Sequence, residues 1–267
     1  MVEKVEKKTR IVVHSRIDHI ARSVAELWQS LATKAGRAGR PFTAALSGGT
    51  TPGPVYRHIA QTVEPSLWEH THIFSVDERM VPHRHEDSNF RLIDDALLSR
   101  IKIPEPNVHL IRTDGVDSAN AAANYEEEII SFFSLKKGTL PRFDLVLLGI
   151  GEDGHTASLF PEMERLMDEK KLVVSSASDT APHRRVTITM PVINNAATVV
   201  LAITGGRKAP VIKAILQDRD SRMPAALVRP ENGEMIVLLD REAAAKLTED
   251  LILIQNELMK EPFRRKQ

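Results

Sequence analysis

The amino-acid sequence predicts one α/β domain, a mostly parallel open sheet with helices on both faces. Three observations carry that expectation. Apolar runs of strand length alternate with segments of helical period from one end of the chain to the other, the pattern of consecutive β-α units. The run 145–149 is apolar throughout, as in a strand buried on both faces of a parallel sheet. The strands end in glycine or charge, where open α/β sheets hold their ligands.

Taken in order, residues 11–14 form a first short strand. Residues 18–34 follow as a helix, with Ile20, Val24, Leu27 and Leu31 at helical spacing and Gly36 and Gly39 at its end. Residues 42–46 are the second strand and run into Ser47-Gly48-Gly49-Thr50-Thr51-Pro52, where Pro52 suits the first position of a helix continuing through Val55, Ile59 and Ala60. A third strand spans 72–76 and ends in Asp77-Glu78-Arg79, with a helix over 89–98 after a polar loop. Two prolines in 102–107 mark a connection to a short strand at 108–111. Residues 118–133 read as a helix, 145–149 as the central strand, and 162–171 as charged helix or loop. Residues 186–206 carry no charge, but Pro191, Asn194 and Asn195 break them into strand, turn and strand rather than a membrane span. The strand at 198–203 delivers Thr204-Gly205-Gly206-Arg207-Lys208 to a helix over 210–216, and a strand at 235–239 with a terminal helix over 242–259 closes the chain. No repeat, linker or domain boundary interrupts 1–267; residues 1–10 and 262–267 are expected to be flexible ends.

Composition narrows the function. The chain has 267 residues, 36 basic and 36 acidic, so no global field points to nucleic acid or membrane, and an anionic ligand must be held by local charge. There is no cysteine, which removes thiolate chemistry and suits a cytoplasmic location. The first residues, MVEKVEKKTR, are charged and show no secretory signal.

Chemistry concentrates in FDLVLLGIGEDGHTASLFP, residues 143–161. Gly149, Gly151 and Gly154 allow a sharp turn and close ligand approach after the buried strand, and Asp153 and His155 stand among them. The spacing matches G-x-G-x-x-G, but no acidic residue follows at the next strand end, which argues against a dinucleotide site. The Ser47, Gly48, Gly49 and Thr50 loop before a helix is an anion site in the making, since loop amides and the helix dipole both favour negative charge. It lacks the lysine of a nucleoside-triphosphate loop. Asp77 and Arg79 at the third strand end offer a carboxylate and a guanidinium, and Lys208 adds a cation. His70, His72, His83 and His85 are poorly spaced as a tetrahedral zinc set, so no metal is expected there. Four loops converging on one crevice describe a site for a phosphorylated small molecule with a proton acceptor beside it.

The segments LSGGTTP, SVDERMVPHRHEDSNF, FDLVLLGIGEDGHTASLFP and RVTITMPVINNA together resemble the 6-phosphogluconolactonase family, within the glucosamine-6-phosphate isomerase/6-phosphogluconolactonase superfamily. The similarity runs from Phe42 to Leu239, and DGHTASLFP is its most specific part. The resemblance implies hydrolysis of 6-phospho-D-glucono-1,5-lactone to 6-phosphogluconate in the oxidative pentose phosphate pathway, without metal or cofactor. It implies the deaminase/isomerase-like fold, His155 as catalytic residue, and Asp77 and Arg79 lining the site. Ser47 to Thr50 and Lys208 would hold the phosphate, with Arg185 a further candidate. The expected partner is the sugar-phosphate lactone, with no nucleic acid or membrane, and the chain is expected as a monomer or weak homodimer. Asp153 or Asp77 could orient the imidazole of His155, and a loop amide or Arg79 could face the oxyanion. Two alternatives remain: an amino-sugar phosphate deaminase or isomerase on the same scaffold, whose histidine segment resembles GHIAFNEP where this chain has GHTASLFP, and a non-catalytic sugar-phosphate sensor.

Overall fold

The structure, a computed structural model, describes residues 8–166, 170–178, 182–218, 220 and 222–248. The chain opens with β1 (Lys8–His14) and α1 (Ile17–Arg37), then β2 (Phe42–Leu46) and α2 (Pro52–Thr62), then β3 (Thr71–Ser75). A three-residue strand, β4 (Asp77–Arg79), follows at once, and α3 (Asn89–Ala96), β5 (Val108–His109) and α4 (Ser118–Phe133) lead to the central β6 (Leu145–Leu148). The remainder is β7 (Val173–Ser176), β8 (Arg185–Ile188), α5 (Met190–Asn194), β9 (Thr198–Ile203), α6 (Ala209–Leu216) and β10 (Glu234–Asp240).

Seven strands form one sheet in the order β1-β10-β9-β6-β2-β3-β5, and every pairing in it is parallel. From β2 the sheet grows outward through β3 to β5, then the chain returns to lay β6 on the other side of β2. That reversal leaves a crevice outside the carboxyl ends of β2 and β6, the position at which such sheets bind ligands. The pleat explains why residues 145–148 are apolar throughout. Leu145 and Leu147 face the cluster of Trp28, Tyr56, Ile59 and Trp68 under α1 and α2, while Val146 and Leu148 face that of Tyr125, Ile129, Val186 and Ile188.

The buried stripe of α1 is Ile20, Val24, Trp28 and Ala32, with Leu27 and Leu31 only half-buried, so the helix is rotated slightly from the expected face. Trp28 is fully enclosed, edge-on to Phe42 at 5.2 Å between ring centroids. Its truncation to alanine would cost about 3–5 kcal/mol. At the lower end of the central strands, Asp144 accepts from both Arg40 guanidinium nitrogens at 2.8 and 2.7 Å and from the Thr43 amide at 3.0 Å. This tether sets the register of β6 against β2 and thereby the heights of the two loops at the other end.

Several expectations are corrected. Asp77-Glu78-Arg79 is not a loose strand terminus. Val76 donates its N–H to Leu46 in the main sheet and accepts from the Ile188 amide, so the chain passes there into a second, antiparallel sheet β4-β8-β7. The strand β7 was not expected; its pairing with β8, not its composition, makes it one. Residues 186–206 contain the five-residue helix α5 rather than a plain turn. Residues Pro161–Leu166 form 3-10 turns, in keeping with the helix or loop expected over 162–171. Of the terminal helix expected over 242–259, residues 242–246 are turns, 247–248 are not helical, and the rest lies outside the described residues.

Candidate active site

The loops after β2, β6 and β9, with the small sheet as fourth wall, enclose a cavity of about 260 Å³. Its lining includes Ser47 to Pro52, Asp77, Arg79, Asn89, Gly149 to Gly151, His155, Arg185, Thr204 and Lys208. Larger hollows of about 540 Å³ beside Thr113–Ala119 and about 1040 Å³ between α1 and α2 are more open.

The first wall is the loop 47–51. Gly49 has φ 113, which a side chain rarely adopts, and Gly48 is packed so closely that a Cβ there would fall 1.7 Å from Asn89 Oδ1. Tyr56, one turn into α2, donates its buried hydroxyl to the Ser47 carbonyl at 2.5 Å. Thr51 and Thr204 share a hydroxyl hydrogen bond of 2.9 Å, joining the loops after β2 and β9.

The second wall is the turn after β6. Asp153 Oδ1 accepts from the His155 amide at 3.1 Å and lies 2.6 Å from His155 Nδ1. Burial works to raise the Asp153 carboxyl, but the hydrogen bond and charge of His155 outweigh it and hold it below the ordinary range. An ionised carboxylate at Nδ1 assigns the proton to that nitrogen and leaves Nε2 as the acceptor. Gly151 makes room for the pair, since a Cβ would fall 2.1 Å from His155 Nδ1 and 2.2 Å from Asp153 Oδ1. The ring of Phe160 backs the imidazole at 4.7 Å between centroids.

The fourth wall is the small sheet. Asp77, 4 % exposed, accepts from Ser158 Oγ at 2.6 Å and from Asn89 Nδ2 at 3.2 Å. Arg79 and Arg185 are direct cross-strand partners, an arrangement that repels unless an anion joins them. Arg79 donates to the Asp87 carbonyl at 2.6 Å, and Arg185 lies over the Phe160 ring at 5.6 Å. Burial, then the charge of Arg79, lower the pKa of Arg185 against the opposing pull of Asp77, Asp87 and Glu78. Lys208, at the far lip, is lowered chiefly by burial.

Ser47 Oγ, Arg79 Nε and Arg185 Nε are buried without a hydrogen-bond partner, three of the five such side-chain atoms among the described residues. Buried polar groups are normally paired, and all three of these atoms belong to residues that line the cavity.

The sequence pattern of the glucosamine-6-phosphate isomerases/6-phosphogluconolactonase family matches residues 15–237. The chain belongs to that family. A relative from Nostoc sp., a 6-phosphogluconolactonase, is 39% identical over 91% of this chain and 99% of its own. The human 6-phosphogluconolactonase is 40% identical over 78% of this chain and 81% of its own. Among solved structures, the 6-phosphogluconolactonase of Trypanosoma brucei superposes with a TM-score of 0.80 at 30% identity, over 91% of this chain and 100% of that one. A monomeric glucosamine-6-phosphate deaminase superposes at TM-score 0.74 and 18% identity, which shows the shared fold.

Against this family background, the lining brings together His155, Asp77, Arg79, Arg185, Lys208 and the Ser47–Thr50 loop. Asp153 is the carboxylate in contact with the imidazole, while Asp77 is engaged by Ser158 and Asn89. Three residues that shape the site had not been singled out: Asn89, Ser158 and Tyr56. Ser158 lies 81 positions from the carboxylate it contacts, and no spacing rule connects them. Asn89 had a signal, the Asp-Ser-Asn run before a helix, but it was read only as a helix start. His72 pairs with His109 at 3.0 Å, and His83 stacks on Phe90.

Proposed function

We propose that the chain hydrolyses 6-phospho-D-glucono-1,5-lactone to 6-phosphogluconate, as a step of the oxidative pentose phosphate pathway, with His155 as general base. The observation that carries the reading is that His155, the Ser47–Thr50 loop, Arg79, Arg185 and Lys208 line one cavity of about 260 Å³. Water, deprotonated by Nε2, attacks the lactone carbonyl carbon. The resulting oxyanion faces Arg79, and on collapse the ring C–O bond breaks with the imidazolium returning its proton to the leaving oxygen. A lactone is already an activated ester, so a base contributing about 10² to 10⁴-fold and one oxyanion donor suffice. The phosphate is held by the Ser47–Thr50 loop, Arg185 and Lys208. Family membership and relatives named 6-phosphogluconolactonase support the assignment.

The test compares acid release from freshly generated 6-phosphogluconolactone and from unphosphorylated gluconolactone, each corrected for spontaneous opening. The phosphorylated lactone should be strongly preferred. Replacing Arg185 by Met should raise its KM about 10- to 100-fold, the weight of a charged hydrogen bond, while leaving the unphosphorylated substrate unaffected. Spontaneous rates alone, with ammonia released from glucosamine 6-phosphate, would transfer the assignment to the deaminase reaction.

A further inference from the structure

Outside the proposed catalytic machinery, the described residues contain one group of side chains with metal-ligand geometry, His85, Asp87 and His183. We propose that these three bind a divalent transition-metal ion, of the zinc class, beside Arg79, as a structural or regulatory site separate from the hydrolytic step. His183 Nε2 lies 3.1 Å from Asp87 Oδ2, and His85 Nδ1 lies 3.8 Å from the same oxygen. One ligand atom from each residue falls within 4.8 Å of the other two. Tetrahedral ligands on zinc at 2.0–2.2 Å are about 3.3 Å apart, so the three atoms need only small movements to close on an ion. The His85 and His183 rings stand edge to face at 79°, which leaves the space between their nitrogens unblocked by stacking.

The protonation state also suits a metal. His85 Nδ1 accepts from the Asp87 amide at 3.1 Å, so that nitrogen carries a lone pair in the neutral ring, and binding exchanges this hydrogen bond for a metal bond. Two imidazoles with one carboxylate favour zinc, cobalt, nickel or copper over magnesium or calcium, which prefer oxygen ligands. Three protein ligands leave a position for water. No local spacing among His70, His72, His83 and His85 shows this site, which takes His183 from 96 positions beyond Asp87.

Placement gives the site a consequence. The Asp87 carbonyl holds Arg79, and His183 stands two residues before Arg185. An ion would tie the β4–α3 loop to the start of β8, on either side of the arginine pair.

The experiment titrates the full chain, stripped with chelator, with Zn²⁺ against a chromophoric chelator, and with Co²⁺ followed by its visible absorption. One ion per chain is expected, with a rise in Tm. His183→Ala and His85→Gln, the latter keeping an acceptor for the Asp87 amide, should each weaken binding by at least about 10- to 100-fold, the cost of losing even an indirect metal support. His70→Ala should leave it unchanged. Equal affinity in wild type, His183→Ala and His85→Gln, or no ion retained by the wild type, would overturn the site.

Discussion

Gly151→Ala is a demanding test of the His155–Asp153 arrangement because it adds one methyl group and removes no functional atom. The new Cβ would lie 2.1 Å from His155 Nδ1, 2.2 Å from Asp153 Oδ1 and 2.3 Å from His155 Cε1, more than 1 Å inside ordinary van der Waals contact. It would sit within the hydrogen bond that joins the two side chains. Imidazole and carboxylate must separate, and Nε2 moves by about 1 Å, a displacement that costs on the order of 10²-fold in rate. Global stability should change by less than about 1 kcal/mol, since both side chains are partly exposed and can move outward. The assay is initial-rate hydrolysis of 6-phosphogluconolactone, with urea unfolding in parallel. A Gly151→Ala protein within about threefold of wild type in kcat/KM, against the 10² expected, would refute the claim that this pair is the working base.

Three further outcomes follow from single contacts. Asp153→Asn presents an amide donor to Nδ1 and moves the proton to Nε2, so kcat should fall by about 10² to 10⁴-fold with KM little changed; a pH–rate profile identical to wild type would count against the tautomer assignment. Ser158→Ala deprives buried Asp77 of its 2.6 Å donor and should destabilise the fold by about 1.5–3 kcal/mol in urea unfolding, whereas a change near zero would mean that Asn89 alone satisfies the carboxylate. Burial, with the nearby charges of His109 and His70, lowers the pKa of His72 to about 4. As pH falls from about 6.5 towards 4 the unfolded chain takes up this proton first, so stability is full above that window and lost within it. His72→Asn, which retains a partner for His109, should flatten the Tm–pH curve there, and equal slopes in the two proteins would contradict the assignment.

Most of the main sheet was legible because its strands are buried on both faces. Phe42–Leu46 and Thr198–Ile203 are apolar apart from Thr43 and Thr198, and burial of every residue in them is what the sheet requires. The second sheet was not legible, because β4 is Asp-Glu-Arg and becomes a strand only through pairing with residues 185–187. The cavity followed the same division. Its loops were visible as glycine and charge at strand ends, but the juxtaposition of Arg79 with Arg185 depends on that unread pairing. The choice between Asp77 and Asp153 as partner of His155 needed the third dimension as well, since Ser158 and Asn89 claim Asp77 first. The start of the terminal segment shows the opposite error: helical spacing over 242–259 promised a helix, and its described first residues, 242–246, instead fold as turns.

The central claim is tested most directly by following acid release from freshly generated 6-phosphogluconolactone with the wild type and His155→Ala, after subtraction of spontaneous ring opening. The wild type should hydrolyse the lactone, and the folded variant should be slower by about 10² to 10⁴-fold. A wild type no faster than the spontaneous reaction would contradict the assigned activity, and a folded His155→Ala protein of near wild-type rate would contradict the assigned base.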